Sequence, residues 1–389
     1  MKSVVGVCIG EWRRILADPG ALLLLVVAAG LYGLFYPQPY LPEVLDEVPT
    51  VVVDHDATPL SRQLARMADA GQLIRVTART ANRLEAEAMV RRGDAGALLE
   101  IPRDFERDVL RGERTTVACF TDAAYFLVYR QATSGLGAAI GTLSAGIEIR
   151  RLEAAGMTPD QAADARVPLV AADRPLYNPA EGYASYIVPG VLVLILQQTL
   201  LIGIGLLAGT AREDGERPGS AGSFASTLGR MLAYFAIYFV HALFYFAVLF
   251  RVFHLPYRGD LGTTLAFTVP FLLAAIGLAM IIANLFRNRE TALQVLLFTS
   301  LPALFLSGFA WPIEMVPAWL HPLAGLIPST AGIVGFLRVN QMGATLAQVA
   351  PEWRALWVLA GLYFLVAWGI HAWRTHRAPR RPGSIRAGD

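Results

Sequence analysis

Residues 185–209 read SYIVPGVLVLILQQTLLIGIGLLAG, without one charged side chain. A bilayer core of roughly 30 Å takes about 20 consecutive apolar residues in a helix. This stretch therefore reads as a membrane span, and it decides the fold. Working outward from it, five further stretches qualify: about 20–36, which is short, then about 231–250, 261–285, 291–310 and 355–373. A seventh apolar run, Leu323 to Val339, is short and interrupted by Pro328, which cannot continue a helix. It reads as a re-entrant or interfacial hairpin.

Composition agrees with a membrane protein. The 389 residues are 55% hydrophobic and 16% charged, with a mean hydropathy of +0.46, whereas soluble domains carry about 25% charge. The deficit is uneven. Residues 37–184 hold 16 basic and 21 acidic side chains, a local charge of −5, and the remainder holds 17 and 10, a charge of +7. An ordinary polar domain of α/β character is thus inserted into membrane material. No face is basic enough to track nucleic-acid phosphates, and the hydrophobicity excludes disorder.

Arginine distribution gives an orientation. With the amino terminus inside, the inner segments 1–19, 210–230, 286–290 and 374–389 carry 13 basic residues. The short outer segments carry only Arg251, Arg258, Arg338 and Arg354. Positive charge stays on the cytoplasmic side, and long loops do not vote. Both termini are expected inside and the 37–184 domain outside. Residues 1–19 loosely resemble the start of a signal peptide. Val5, Cys8, Trp12, Ile15 and Leu16 nevertheless fall near one helical face, which suits an interfacial helix ahead of an uncleaved first span.

Within 37–184, strands are expected at Val48–Asp54, Leu73–Thr77, Ala95–Ile101 and Thr115–Phe120, with helices at Ser61–Ala70, Ala81–Arg91, Phe105–Leu110 and Tyr125–Ala155. An extended piece, Val167 to Leu176, leads back to the membrane. Asp54-His55-Asp56 reads as a polar turn, with Asp56 placed to cap the next helix, rather than as a metal or acid–base site. Cys8 and Cys119 stand alone in the sequence and, in this topology, on opposite sides of the membrane. The sole lysine, Lys2, follows no glycine-rich loop, so no P-loop is present. No metal-ligand or nucleophile motif occurs either, and no catalytic residue is assigned.

Polar groups within spans are costly and often functional. Gln197, Gln198, His241 and Gln294 are the candidates for a transport path, with interhelical hydrogen bonding as the plainer role. Acids are missing from the span interiors, which argues against coupling to an ion gradient.

Three stretches carry a resemblance. They are Tyr177-Asn178-Pro179 with Tyr186-Ile187-Val188-Pro189-Gly190; Ser307-Gly308-Phe309 with Trp311-Pro312 and Met315 to Leu320; and Leu326-Ile327-Pro328 with Arg338 and Gly343. Their order resembles the permeases of the ABC-2 type exporter family, in the subgroup with a large extracytoplasmic domain between spans one and two. The resemblance implies a six-span helical membrane protein of the bacterial inner membrane, as homodimer or heterodimer with a sister permease. It also implies a separate ATPase subunit that binds ATP and magnesium, and a periplasmic adaptor as a further partner. It places the ATPase-coupling loop at Arg212, Glu213, Glu216 and Arg217, although Pro218-Gly219-Ser220 replaces the helix usual there. It places an outer hairpin or gate near 311–340, with Trp311, Pro312, Met315, Pro317, Trp319 and Pro328. The competing class is a membrane-anchored receptor or assembly scaffold whose outer domain binds a partner.

Overall fold

A computed structural model describes residues 3–167, 174–179, 181–215 and 223–377. Glu216, Arg217, the 168–173 part of the expected extended piece and the tail beyond 377 lie outside them. The chain divides into two compact units, Val44–Arg174 and the remainder, Met1–Glu43 with Pro175–Asp389.

The Val44–Arg174 unit is built on a four-stranded sheet of order β2-β1-β3-β4: β1 Val48–Asp54, β2 Ile74–Thr80, β3 Ala97–Ile101 and β4 Ala118–Thr121. β1 runs parallel to β2 and β3, and β4 runs antiparallel to β3. Parallel neighbours require crossover connections, supplied by the helices Pro59–Asp69 and Arg83–Arg92. Alternate residues of β1 serve opposite faces. Val48 and Val52 pack with Leu64, Ala68 and Leu136 on one side, while Val51 and Val53 pack with Ala86 on the other. Hence the continuous VVV run: both faces are covered. Phe126–Ala154 is the long helix expected, and Pro159–Arg166 is an additional helix that the sequence reading omitted. The polar turn differs in one respect. Thr58, not Asp56, caps the next helix by accepting from the Ser61 N–H. Asp56 instead accepts from the Glu106 N–H at the start of Phe105–Arg111.

In the other unit, the amino-terminal helix Val4–Ala17 packs on the third span through buried Glu11 and Ile15. Ile15 therefore departs from the expected apolar face, and Val5, Trp12 and Leu16 stay exposed. Five helices are each long and apolar enough to cross a membrane: Pro19–Tyr40, Tyr183–Glu213, Ser223–Val252, Leu261–Leu285 and Ala350–His376. These are the expected first, second, third, fourth and last spans. The second is 89% buried, against 28% for the first and last. A helix that is apolar all round belongs in the middle of its bundle, which is where the second span sits.

The expected fifth span, 291–310, is not one helix. Arg289–Phe298 and Ser300–Leu306 are separated at Thr299. The Thr299 and Ser300 hydroxyls donate to the carbonyls three residues back, and Pro302 has no N–H for the helical ladder. The pair nevertheless travels the length of the second span: Arg289 lies beside Gly209, Leu296 beside Gly205 and Phe309 beside Gly190. This fifth passage, made of short pieces, thus runs beside the second span without any one helix long enough to cross a membrane. The following helices, Ala318–Gly325 and Pro328–Asn340, meet at 82°. Ser329 reaches the level of Gln197, and Gln341 returns to Ser185. The helix that begins at Pro328 therefore starts beside the middle of the second span and ends beside its amino end.

Gly209 makes the approach of the second span to the fifth passage feasible, since a Cβ there would stand 2.6 Å from the Arg289 backbone nitrogen. Backbone atoms cannot yield as a side-chain tip can. Gly209→Val is expected to destabilise the bundle by about 1–3 kcal/mol through overpacking. Thermal unfolding of detergent-purified protein checks this, with Gly361→Ala, where a Cβ meets nothing within 4 Å, unchanged.

Candidate functional site

Three junctions along the second span gather most of the residues singled out above. At its carboxyl end, Arg212 Nη1 donates to the carbonyls of Ala283, at 2.7 Å, and Phe286. Its Nη2 reaches Asn284 Oδ1. Four terminal carbonyls of any helix lack intrahelical donors; at the end of the fourth span Arg212 answers that of Ala283 and Arg374 that of Asn284. Glu213 Oε1 accepts from the Arg289 N–H at 2.9 Å, at the start of the fifth passage. Both coupling-loop residues within the described chain are thus engaged in tying the second, fourth and fifth passages together.

At mid-span, Gln197 makes two bonds to one residue. Its Oε1 accepts from the Ser329 N–H at 2.8 Å, and its Nε2 donates to Ser329 Oγ at 3.1 Å. Helix Pro328–Asn340 has Ile327 at its N-cap, with no side chain to offer. Gln197 supplies the missing acceptor from another helix. Gln198, the neighbour, is buried but points elsewhere, and its Oε1 has no partner among the described residues. His241 Nε2 sits 3.1 Å from the Leu25 carbonyl, inside the π-helical segment Leu23–Ala28 of the first span. Gln294 is exposed on the fifth passage. The four path candidates therefore do not share one site. Gln197 and His241 bind helices to each other, while Gln198 and Gln294 stand apart.

At the amino end, Asn178 closes a loop on Gly182 through both its amide atoms. Tyr177 lies under the Arg258 guanidinium, 5.4 Å from ring centre to charge. The Glu43 carboxylate accepts from the N–H and hydroxyl of Ser185, at 3.1 and 2.6 Å. It caps the second span from outside, because Gly182 at the N-cap has no side chain. A Cβ at Gly182 would press on the Glu43 carboxylate, so a larger residue there must displace the clasp. Tyr36, Tyr40, Tyr183, Tyr186 and Phe309 follow in a chain of ring contacts, with centroids 5.3–6.1 Å apart. Tyr186 also donates to the Phe309 carbonyl at 2.9 Å.

In the hairpin, Pro312 and Pro317 precede single turns, Ile313–Met315 and Ala318–Leu320. Trp311, Met315 and Trp319 are exposed, whereas Pro328 is buried. Arg338 is held by Glu352 at 2.7 Å and by the Gln348 carbonyl at 2.9 Å. Gly343, at φ +69°, turns the chain against Arg258. In the inserted unit, His55 pairs with Glu100 and Asp54 accepts from Asp56, Ala57 and Ser61. Among the described residues no group of three His, Cys, Asp or Glu side chains could hold a metal ion.

The stretches around Asn178, Tyr186, Phe309 and Pro328 thus meet on one helix, the second span. The family model described as ABC-2 family transporter protein matches residues 21–368, nearly the whole chain. The chain belongs to the ABC-2 transporter family. Its curated relatives include the probable multidrug ABC transporter permease YbhS of Escherichia coli K12, 26% identical over 348 residues, 84% of this chain and 85% of YbhS. The probable multidrug ABC transporter permease YbhR of the same organism is 25% identical over 188 residues, 47% of this chain and 50% of YbhR. ABC transporter G family member 20 of Dictyostelium discoideum is 22% identical over 157 residues, 39% of this chain and 22% of that protein. This ABC-2 chain is therefore a multi-pass membrane protein of the ABC permease class, a class that works with an ABC ATPase subunit.

Sequence reading did not find Glu43 or Ser329. Ser329 carried a signal, since Pro328 at a helix start behind the apolar Ile327 leaves an N-terminus in want of a distant cap. Glu43 carried none beyond the uncapped Gly182. For Gln197→Leu, the Ser329 N–H is left buried without an acceptor, at an expected cost of about 1–3 kcal/mol. A double-mutant cycle with Ser329→Ala, read by thermal unfolding, is expected to show the two positions coupled.

Proposed function

We propose that this chain is the membrane subunit of an ATP-driven exporter, working with a separate nucleotide-binding subunit that binds ATP and magnesium. The observation that carries this reading is the second span's three-level attachment. Its 31 residues make one helix about 46 Å long, tied at one end to the fourth and fifth passages, at mid-span to the hairpin and at the other end to Glu43 and Phe309. A push delivered near Arg212 and Glu213 would move along this rod to Ser329 and Phe309. ATP binding by the partner would then shift a two-state equilibrium by its differential affinity for the two states. Two copies, or this chain and a sister permease, would form the pathway, and the exposed face of Phe298, Leu301 and Phe305 offers a surface for the second copy. The names of YbhS and YbhR make drug-like compounds the substrate class to test first.

The basic residues of the inner segments support cytoplasmic termini and an extracytoplasmic inserted domain in the bacterial inner membrane. That domain would bind substrate at exit or meet a periplasmic adaptor. The two cysteines report on this directly, since Cys119 is exposed on β4 and Cys8 lies in the amino-terminal helix. A membrane-impermeant maleimide applied to intact spheroplasts is expected to label Cys119, and to label Cys8 only after permeabilisation. The reverse pattern would invert the topology.

Function is tested with the chain co-purified with its ABC ATPase partner and reconstituted in liposomes. ATP-dependent movement of a fluorescent drug toward the side bearing the inserted domain is expected, with no hydrolysis by the permease alone. Arg212→Glu is expected to lower coupled transport severalfold by releasing the Ala283–Phe286 turn. Robust ATPase activity of the isolated chain, or full transport without ATP, would sink the proposal.

A further inference from the structure

Where the second, third, fourth and last spans meet the amino-terminal helix, the bundle encloses a cavity of about 800 Å³. That lies within the range of small-molecule sites, about 300–1,000 Å³. Its polar wall has an unusual charge balance. Among the described residues, five guanidinium groups line it, from Arg14, Arg212, Arg230, Arg287 and Arg374, against one carboxylate, Glu11. Glu11 is buried and spent on Arg14 at 3.2 Å and Arg230 at 3.7 Å, while also accepting from the Tyr234 hydroxyl at 2.5 Å. Among the described residues no carboxylate pairs with Arg212, Arg287 or Arg374. Arg212 and Arg374 are held only by carbonyl and amide oxygens of the 283–286 turn. Such oxygens fix a guanidinium in place without neutralising it. His371 also lines the cavity, and its buried Nε2 has no hydrogen-bond partner among the described residues. The other walls are apolar, from Ile204, Leu207 and Met280, and Leu285 at the rim is 76% exposed.

The charge of Arg212, Arg287 and Arg374, which no carboxylate among the described residues meets, stands next to apolar span ends and suits an anion that also carries hydrocarbon. We infer that this cavity binds the headgroup of an anionic phospholipid, its phosphate among Arg212, Arg287 and Arg374 and its acyl chains leaving past Leu285. Guanidinium forks suit phosphate oxygens, and the described residues offer Arg212, Arg287 and Arg374 no carboxylate in their place. Basic pockets at the ends of membrane spans are suited to anionic headgroups on general electrostatic grounds. The lipid would act as a removable counter-ion at the junction that Arg212 ties together. The inference requires that the chain spans a bilayer. It needs neither the direction nor the energy source proposed above, so a failure of transport would leave it standing.

Native mass spectrometry of the purified full chain, titrated with dioleoyl-phosphatidylglycerol or dioleoyl-phosphatidylcholine, tests it. The phosphatidylglycerol adduct is expected to persist at activation energies that strip phosphatidylcholine, with apparent affinity about tenfold higher. Arg287→Gln, at an exposed rim position, and the double variant Arg287→Gln/Arg374→Gln should each reduce that preference, the double variant by about tenfold. Arg13→Gln, exposed on the same helix as Arg14 but outside the cavity, should leave it intact. If the double variant fails to fold, Arg287→Gln alone carries the test. Equal binding of the two lipids, or equal loss with Arg13→Gln, would overturn the proposal. Displacement of phosphatidylglycerol by millimolar inorganic phosphate would also overturn it, by assigning the cavity to a free anion.

Discussion

Everything in the membrane unit depends on satisfying one helix that water cannot reach. The second span is buried along nearly all its length, so each polar group on it and at its ends needs a protein partner. The partners come from distant parts of the chain: Glu43 at the amino end, Ser329 at the middle, and the 283–289 turn at the carboxyl end. Between lipid-exposed helices there is no hydrophobic drive to associate, since the surrounding tails are equally apolar. Close packing and these hydrogen bonds fix the arrangement, and the stretches whose order resembles an exporter permease are largely the ones that make them.

The first span follows the same logic in a different form. Its π-helical segment Leu23–Ala28 widens the helix and disturbs the usual bonding pattern. His241 lies within hydrogen-bonding distance of the Leu25 carbonyl, and the Tyr245 hydroxyl donates to that of Ala29. Both partners lie on the third span. Here His241 and Tyr245 each meet a carbonyl of the neighbouring span's backbone.

Spans were legible because they rest on length and hydrophobicity, which need no knowledge of neighbours. The buried VVV run of β1 and the long Phe126–Ala154 helix were legible for the same reason. The broken fifth passage was not, since Thr299, Ser300 and Pro302 sit in a run that is apolar throughout on average. The role of Gln197 was half legible: its cost in the membrane flagged it, but its partner lies 132 residues away. The bonds that Arg212 and Glu213 make within the chain were not legible, because their partners, Ala283, Phe286 and Arg289, lie more than 70 residues away.

The clasp at Glu43 has an architectural meaning. The Tyr183 N–H donates to the Glu43 carbonyl at 2.8 Å, so the two points where the chain leaves and re-enters the membrane unit are already in contact. The 44–174 segment is attached as a cassette, on a closed ring of contacts that a short turn would complete equally well. A seam closed in this way lets the chain leave and rejoin the membrane unit at one point, so that insertions of different length fit the same attachment.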